Sequence, residues 1–322
     1  MPNNPKPTTY REAGVDIEKG DRFVAYIQSL KSKAILKSLG GFSGGLELDL
    51  KQYQQPVLLS CTDGVGTKLL VAQKLNRYDT LGIDLVAMNV NDLIVCGAKP
   101  LCFLDYIALG SIQEKLMQDL IKGIVAGCED AECVLAGGET AEMPDVYGPT
   151  DFDLAGFAVG IAEKNDLLPR LNSITRGDPV LGLASSGIHS NGLSLARKVI
   201  PEKDRRAWEL LLTPTRIYVR DFFKLMPSGL IQAAAHITGS GLEGNLLRVI
   251  PEGMQLKLTW DWEVPEIFDL IQQYGSIDKE EMRQVFNMGI GLALICKKAD
   301  CDKLLGLAKA EGLKLVIIGE VA

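Results

Sequence analysis

Apolar residues fall in short runs and in helical repeats that interleave along the whole chain. Pro56-Val57-Leu58-Leu59-Ser60-Cys61 is a short apolar run and predicts a buried strand. Further strands are predicted at 101–109, 133–136, 152–162, 180–184, 255–260, 288–296 and 313–321. Apolar spacings of three and four predict helices at about 67–76, 80–97, 111–130, 191–200, 215–225, 243–250, 264–274, 279–286 and 299–311. Leu230 to Ala235 is rich in alanine and favours helix. Between the halves lie Glu163-Lys164-Asn165-Asp166, Pro169-Arg170 and Arg176-Gly177-Asp178-Pro179, a polar, turn-rich stretch. It divides the chain into domains 1–168 and 169–322. Strand and helix alternate imperfectly, so the expected class is α+β or mixed α/β, not a strict doubly wound sheet.

Charge and composition narrow the function. Lys and Arg number 34 against 41 Asp and Glu, a net charge of −7. That balance excludes a general nucleic-acid binder, whose affinity rests on cations meeting phosphates. A hydrophobic content of 47% excludes disorder and suffices for two cores. No run of apolar residues is long enough to span a membrane. Met1 to Pro7 holds three prolines and no apolar stretch, so it reads as an extended arm, not a secretory leader. Seven cysteines form no C-x-x-C pair and sit mostly beside Val, Leu or Ile. They read as buried, reduced thiols of a cytoplasmic protein.

The chemistry gathers in turns. Gly40-Gly41-Phe42-Ser43-Gly44-Gly45 can wrap an anion with backbone N–H groups, or serve as a flexible surface loop. Thr62-Asp63-Gly64-Val65-Gly66-Thr67-Lys68 follows a strand and leads into a helix, a setting that suits phosphate. Its order differs from a Walker A loop. Asp63 either caps the helix or holds a cation such as Mg²⁺ against a phosphate. On the next helix Asp84 and Asn91 share a face, with Asp92 about 80° around. That helix is apolar nearly all round, so its acids need partners, and a metal is one answer. Gly137-Gly138-Glu139-Thr140-Ala141-Glu142-Met143-Pro144 adds two carboxylates after a strand, as metal ligands or caps. Both histidines lie beside polar, glycine-containing turns: His189 in Ser185 to Gly192, His236 in Ala235 to Gly241. His189 is a candidate for substrate binding or acid–base work. His236 is as well explained by structure. Gly239 to Gly244 matches G-x-G-x-x-G, with Asp261 beyond it, yet helix-favouring alanines precede it where a dinucleotide fingerprint needs a strand.

Taken together, these motifs resemble the phosphoribosylformylglycinamidine cyclo-ligase (AIR synthetase) family of purine biosynthesis. The resemblance is carried by Y-R-E-A-G-V-D at 10–16, the loop at 40–45, T-D-G-V-G-T-K at 62–68 and G-I-D-L-V-A-M at 82–88. N-D-L at 91–93, G-A-K-P at 97–100, G-G-E-T-A-E-M-P at 137–144 and H-S-N-G at 189–192 continue it. L-L-T-P-T-R-I-Y-V at 211–219, H-I-T-G-S-G at 236–241 and N-M-G-I-G at 287–291 complete it in family order. Ser43 and Ser240 stand where the family often has Gly, Lys99 replaces a frequent Glu, and the stretch near 200–210 is shorter than usual.

The resemblance implies two domains, the first pairing across a homodimer into a barrel-like sheet, the second a sheet flanked by helices. It implies ATP-dependent ring closure of formylglycinamidine ribonucleotide to aminoimidazole ribonucleotide, with Mg²⁺, and with neither nucleic acid nor membrane as partner. Asp63 and Asp92 would hold the metal. Gly40, Gly41, Gly44, Asp63, Gly64, Gly66, Thr67, Lys68, Asn91, Glu139 and Thr140 would contact the nucleotide or its phosphates. His189, Ser190 and Asn191 would face the substrate, and Asp92 and His189 would be catalytic, His189 as proton acceptor. Other readings are the amidotransferase-coupled step just upstream, selenophosphate synthetase, a nucleotide sensor without turnover, and an NAD oxidoreductase. No Cys precedes Cys61, which disfavours selenophosphate synthetase.

Overall fold

A computed structural model describes residues 9–36 and 39–322. The proline-rich arm at 1–7 lies outside the described residues. In the first half, α1 (Ile17–Ser29) precedes β1 (Pro56–Gly64), α2 (Lys68–Leu75), α3 (Leu81–Val95) and β2 (Lys99–Leu109). Then come α4 (Glu114–Asp130), β3 (Val134–Glu142) and β4 (Phe152–Glu163). Their sheet has the order β1-β4-β2-β3. β2 and β3 run parallel, joined by α4, and the other pairs are antiparallel.

The second half begins with β5 (Pro179–Ala184), α5 (Leu193–Val199), α6 (Arg205–Leu211), α7 (Val219–Leu225) and β6 (Ile231–His236). It continues with α8 (Gly241–Leu246), β7 (Leu256–Leu258), α9 (Glu266–Gly275) and α10 (Lys279–Val285). β8 (Ile290–Cys296), α11 (Cys301–Ala310) and β9 (Leu315–Val321) end it. The order β6-β8-β5-β9-β7 is antiparallel throughout.

Two expectations are corrected here. Leu230 to Ala235 is not helical: β6 occupies 231–236, buried along its whole length against β8. Burial between layers outweighs alanine's helix preference, because small side chains fit a close-packed strand. A strand therefore does precede Gly239-Ser240-Gly241, with α8 after it. The dinucleotide reading fails instead on connectivity. β6 and the next strand, β7, lie at opposite edges of an antiparallel sheet, so no parallel β-α-β unit exists there. The second correction concerns Gly137 to Glu142, expected as a loop, which continues β3 as an edge strand. α1 and α6 were not anticipated.

α3 is the keel of the molecule. Leu81, Leu85, Val86, Val90 and Ile94 are fully buried on it, as its all-round apolar pattern requires. It packs on β1, β2 and β4 on one side and on β6 and α7 on the other. Across the first sheet one row aligns Asp63, Gly156, Asp105 and Gly138, so their side-chain positions share a face. The opposite face carries exposed apolar residues, with Leu58 60% and Phe157 43% accessible. Among the described residues no helix is long and apolar enough to cross a membrane.

Candidate active site

The buried polar groups of α3 each hold a different segment. Asn89 Nδ2 donates to the carbonyls of Leu85 (2.9 Å) and Asp63 (3.3 Å). Asn91 Nδ2 donates to the Arg216 carbonyl (2.9 Å), and its Oδ1 accepts from the Tyr218 N–H (3.0 Å). Asp84 Oδ1 accepts from Lys68 Nζ (2.7 Å), Thr215 N–H (2.7 Å), Thr215 Oγ1 (2.6 Å) and Ser190 Oγ (3.3 Å). Lys68 Nζ donates also to the Thr213 carbonyl at 2.6 Å. Lys68 and Asp84 are both wholly buried. Burial pulls the ammonium's pKa down, and Asp84 pushes it back up.

These contacts correct three expectations. Lys68 does not face a phosphate: its side chain runs into the joint between the halves. Asp84 needs no metal, because Lys68, sixteen residues upstream, is its partner. Asn91 does not reach a nucleotide, because both ends of its amide are engaged by the backbone after Thr215.

Where the halves meet, Gly66 approaches the Ser190 carbonyl, and Thr67 Oγ1 lies 3.1 Å from Ser194 Oγ. The T-D-G-V-G-T-K and H-S-N-G turns therefore adjoin. Asp63 is the penultimate residue of β1, and its carboxylate accepts the Gly64 N–H at 2.8 Å. Burial raises its pKa first and Asp92 adds to the rise, while the Gly64 N–H and His236 oppose it. Asp92 accepts from or shares a proton with His236 Nδ1 at 2.9 Å. Both line a cavity of about 300 Å³ with Cys61, Asn245 and Arg248.

His189 departs from its expected task. It is 1% exposed, and its Nε2 accepts the Ser186 N–H at 3.3 Å. Burial, then the nearby His236, Lys68 and Arg216, hold its pKa well below the ordinary range. A ring that resists protonation is a poor proton acceptor. With Nε2 accepting, Nδ1 carries the hydrogen and has no partner, and Asn191 Nδ2, two residues on, is also buried and unpaired.

A second cavity, of about 520 Å³, lies along the free edge of β3. Ala34 and Leu36 bond to Leu135 and bring the glycine loop to this edge. Gly44 must be glycine because a Cβ would strike the Ala136 carbonyl. Gly40, Gly41 and Gly44 line the cavity together with Glu139 and Thr140. It contains one acid the sequence reading passed over, Asp105. Its signal was a single carboxylate inside the apolar run Leu101 to Leu109, in step with the buried Phe103 and Ile107.

Comparison with known proteins agrees with this architecture. Family models for AIR synthase related protein match at both ends, the N-terminal domain over residues 49–162 and the C-terminal domain over 175–322. A phosphoribosylformylglycinamidine cyclo-ligase of Carboxydothermus hydrogenoformans is 48% identical, covering 97% of this chain and 96% of its own. One from Syntrophus aciditrophicus is 45% identical, covering 98% and 95%. The solved hydrogenase maturation protein HypE, in complex with ATP, has a TM-score of 0.65 at 17% identity, covering 94% of this chain and 86% of that one. That last likeness shows the shared fold. The motifs, the two matched domains and near-half identity over almost the entire length establish that the chain belongs to the phosphoribosylformylglycinamidine cyclo-ligase family.

Proposed function

We propose that the seam between the two halves and the β3-edge cavity together perform the family's reaction, ATP-dependent closure of formylglycinamidine ribonucleotide to aminoimidazole ribonucleotide. A formamide oxygen is a poor leaving group. ATP phosphorylates it, the amidine-side nitrogen attacks the imidate carbon, and phosphate departs with ADP already formed. Such chemistry relies on positioning and on charge stabilisation more than on a protein nucleophile.

One observation carries the assignment to the seam: Asp92 of α3 bonds to His236 from the second sheet and bears on Asp63 of the first. Two neighbouring carboxylates suit a divalent cation, and Mg²⁺ typically takes only one or two protein carboxylates beside phosphates and water. Asp63 and Asp92 would hold it there, and it would offset the triphosphate's charge. His236 keeps Asp92 oriented. The orphaned His189 Nδ1 and Asn191 Nδ2 are donors that suit an acceptor-rich ligand, whereas the Ser190 hydroxyl is engaged by Asp84 and Thr215. His189 thus serves as a neutral donor. Gly64, Gly66 and Thr67 lie on the first-half side of the same seam, with Gly66 and Thr67 exposed.

The glycine loop, Glu139 and Thr140 form a ligand cavity beside the first sheet. Apolar Leu58 and Phe157 on the outer face support pairing with a second copy. A division after residue 168 accords with the two sheets, and the free cysteines accord with a reducing cytoplasm. Separate titrations of ATP and substrate, followed by phosphate release, test the assignment. Binding without release would favour a sensor.

A further inference from the structure

The β3-edge cavity has an unusual charge. Its charged walls, among the described residues, are Asp105 and Glu139, with no Lys or Arg. Much of the remainder is apolar, including Phe23, Leu104, Tyr106 and Phe157. A bare polyphosphate is repelled by two carboxylates in such a setting. A cation is favoured. An organic cation suits the apolar part of this lining better than a small metal ion that gives up its water reluctantly.

Asp105 is the more telling acid. It is 7% exposed and lines the cavity. A carboxylate so little exposed in a partly apolar wall is costly unless a ligand pairs with it. Its position is also protected. Gly138 lies beside it in the next strand, and a Cβ there would collide with the Asp105 carboxyl. The chain thus keeps open the space that this carboxyl occupies.

We propose that Asp105 binds the amidine group of the substrate. The proposal rests on the cyclo-ligase reading, which supplies an amidine-bearing substrate. Amidines are strong bases and cationic near neutrality. Their planar N–C–N fork presents two N–H donors in line, which a carboxylate accepts side by side. Asp105 would then discriminate the amidine from the corresponding amide, where an oxygen acceptor replaces one nitrogen and would face the carboxylate with like polarity.

Calorimetric titration of wild type and Asp105→Asn tests this with three probes: the amidine substrate, its amide analogue, and ATP. Wild type should bind the amidine at least tenfold more tightly than the amide. Asp105→Asn should weaken amidine binding by about 10- to 100-fold, the range for a lost charge-assisted pair, and leave the amide and ATP within about threefold. Should Asp105→Asn fold poorly, Gly138→Ala displaces the same carboxyl and should also erase the preference. The proposal is overturned if Asp105→Asn keeps the wild-type preference, or if ATP affinity falls instead, which would place the nucleotide base at this carboxyl. Wild-type turnover without any amidine preference would overturn it too, while sparing the cyclo-ligase reading. Absence of turnover would instead remove that underlying reading.

Discussion

Replacing Lys68 by Met separates two accounts of the T-D-G-V-G-T-K turn. If Lys68 met a phosphate, its loss would weaken ATP binding and barely touch stability. The geometry demands the reverse. Met fills the lysine's stem volume but leaves Asp84 Oδ1 with only Thr215 and Ser190, and Asp84 Oδ2 already lacks a partner. Removing one partner of a wholly buried ion pair costs about 3–5 kcal/mol. That is a large part of a typical total stability of roughly 5–15 kcal/mol. The double variant Lys68→Met/Asp84→Asn removes the stranded charge, so it should recover on the order of 1–3 kcal/mol relative to the sum of the singles. Urea unfolding reads these differences through Trp208, Trp260 and Trp262, all in the second half. ATP titration of the folded variant should stay within about threefold of wild type, since no phosphate contact is lost. A Lys68→Met protein of unchanged stability that binds ATP more than tenfold weaker would refute this reasoning.

Asp105 should reveal itself in pH-dependent stability. Burial pushes its pKa from 3.8 up to about 7, with Glu139 adding to the rise. The folded state therefore holds the proton longer than the unfolded chain, and this carboxyl removes stability as pH climbs from about 4 to 7, with a constant penalty above. Asp105→Asn should gain relative to wild type across that window, by roughly 4 kcal/mol at most, and denaturation at several pH values would expose a flat difference as a contradiction. Gly44→Ala should push the glycine loop off Ala136 and lower kcat/KM at least about tenfold, because misplacing a ligand-contacting loop by about an ångström is costly; unchanged kinetics would detach the loop from the site. His189→Gln should slow turnover without moving a limb of the pH–rate profile above about pH 6.5, since burial holds the His189 pKa well below its ordinary range. A displaced limb would restore it as a proton acceptor.

The elements were legible wherever apolar runs or helical spacing were long, as at Val57 to Cys61 and throughout α3. They were obscured where context overrode local preference. β6 reads as helix because Ala233 to Ala235 carry no strand signature, and only burial against β8 makes them a strand. The acidic and glycine-rich segments were visible as chemistry, and the structure does bring Gly40, Gly41 and Gly44 to Glu139 and Thr140. Partnership was not visible. Lys68 and Asp84 are each recognisable as residues needing a reason, yet nothing in one dimension says that they answer each other. Nor does the chain order show that Asp92, on the helix of the first half, meets His236 from the second. Those pairings depend on how α3 is wedged between two sheets.

The most direct test of the central claim follows both products at once. The protein is mixed with ATP, Mg²⁺ and formylglycinamidine ribonucleotide, and ADP and aminoimidazole ribonucleotide are quantified together, with Asp92→Asn in parallel. The account expects equal amounts of the two products, lost in Asp92→Asn. ADP without the imidazole, or undiminished turnover in Asp92→Asn, would contradict it.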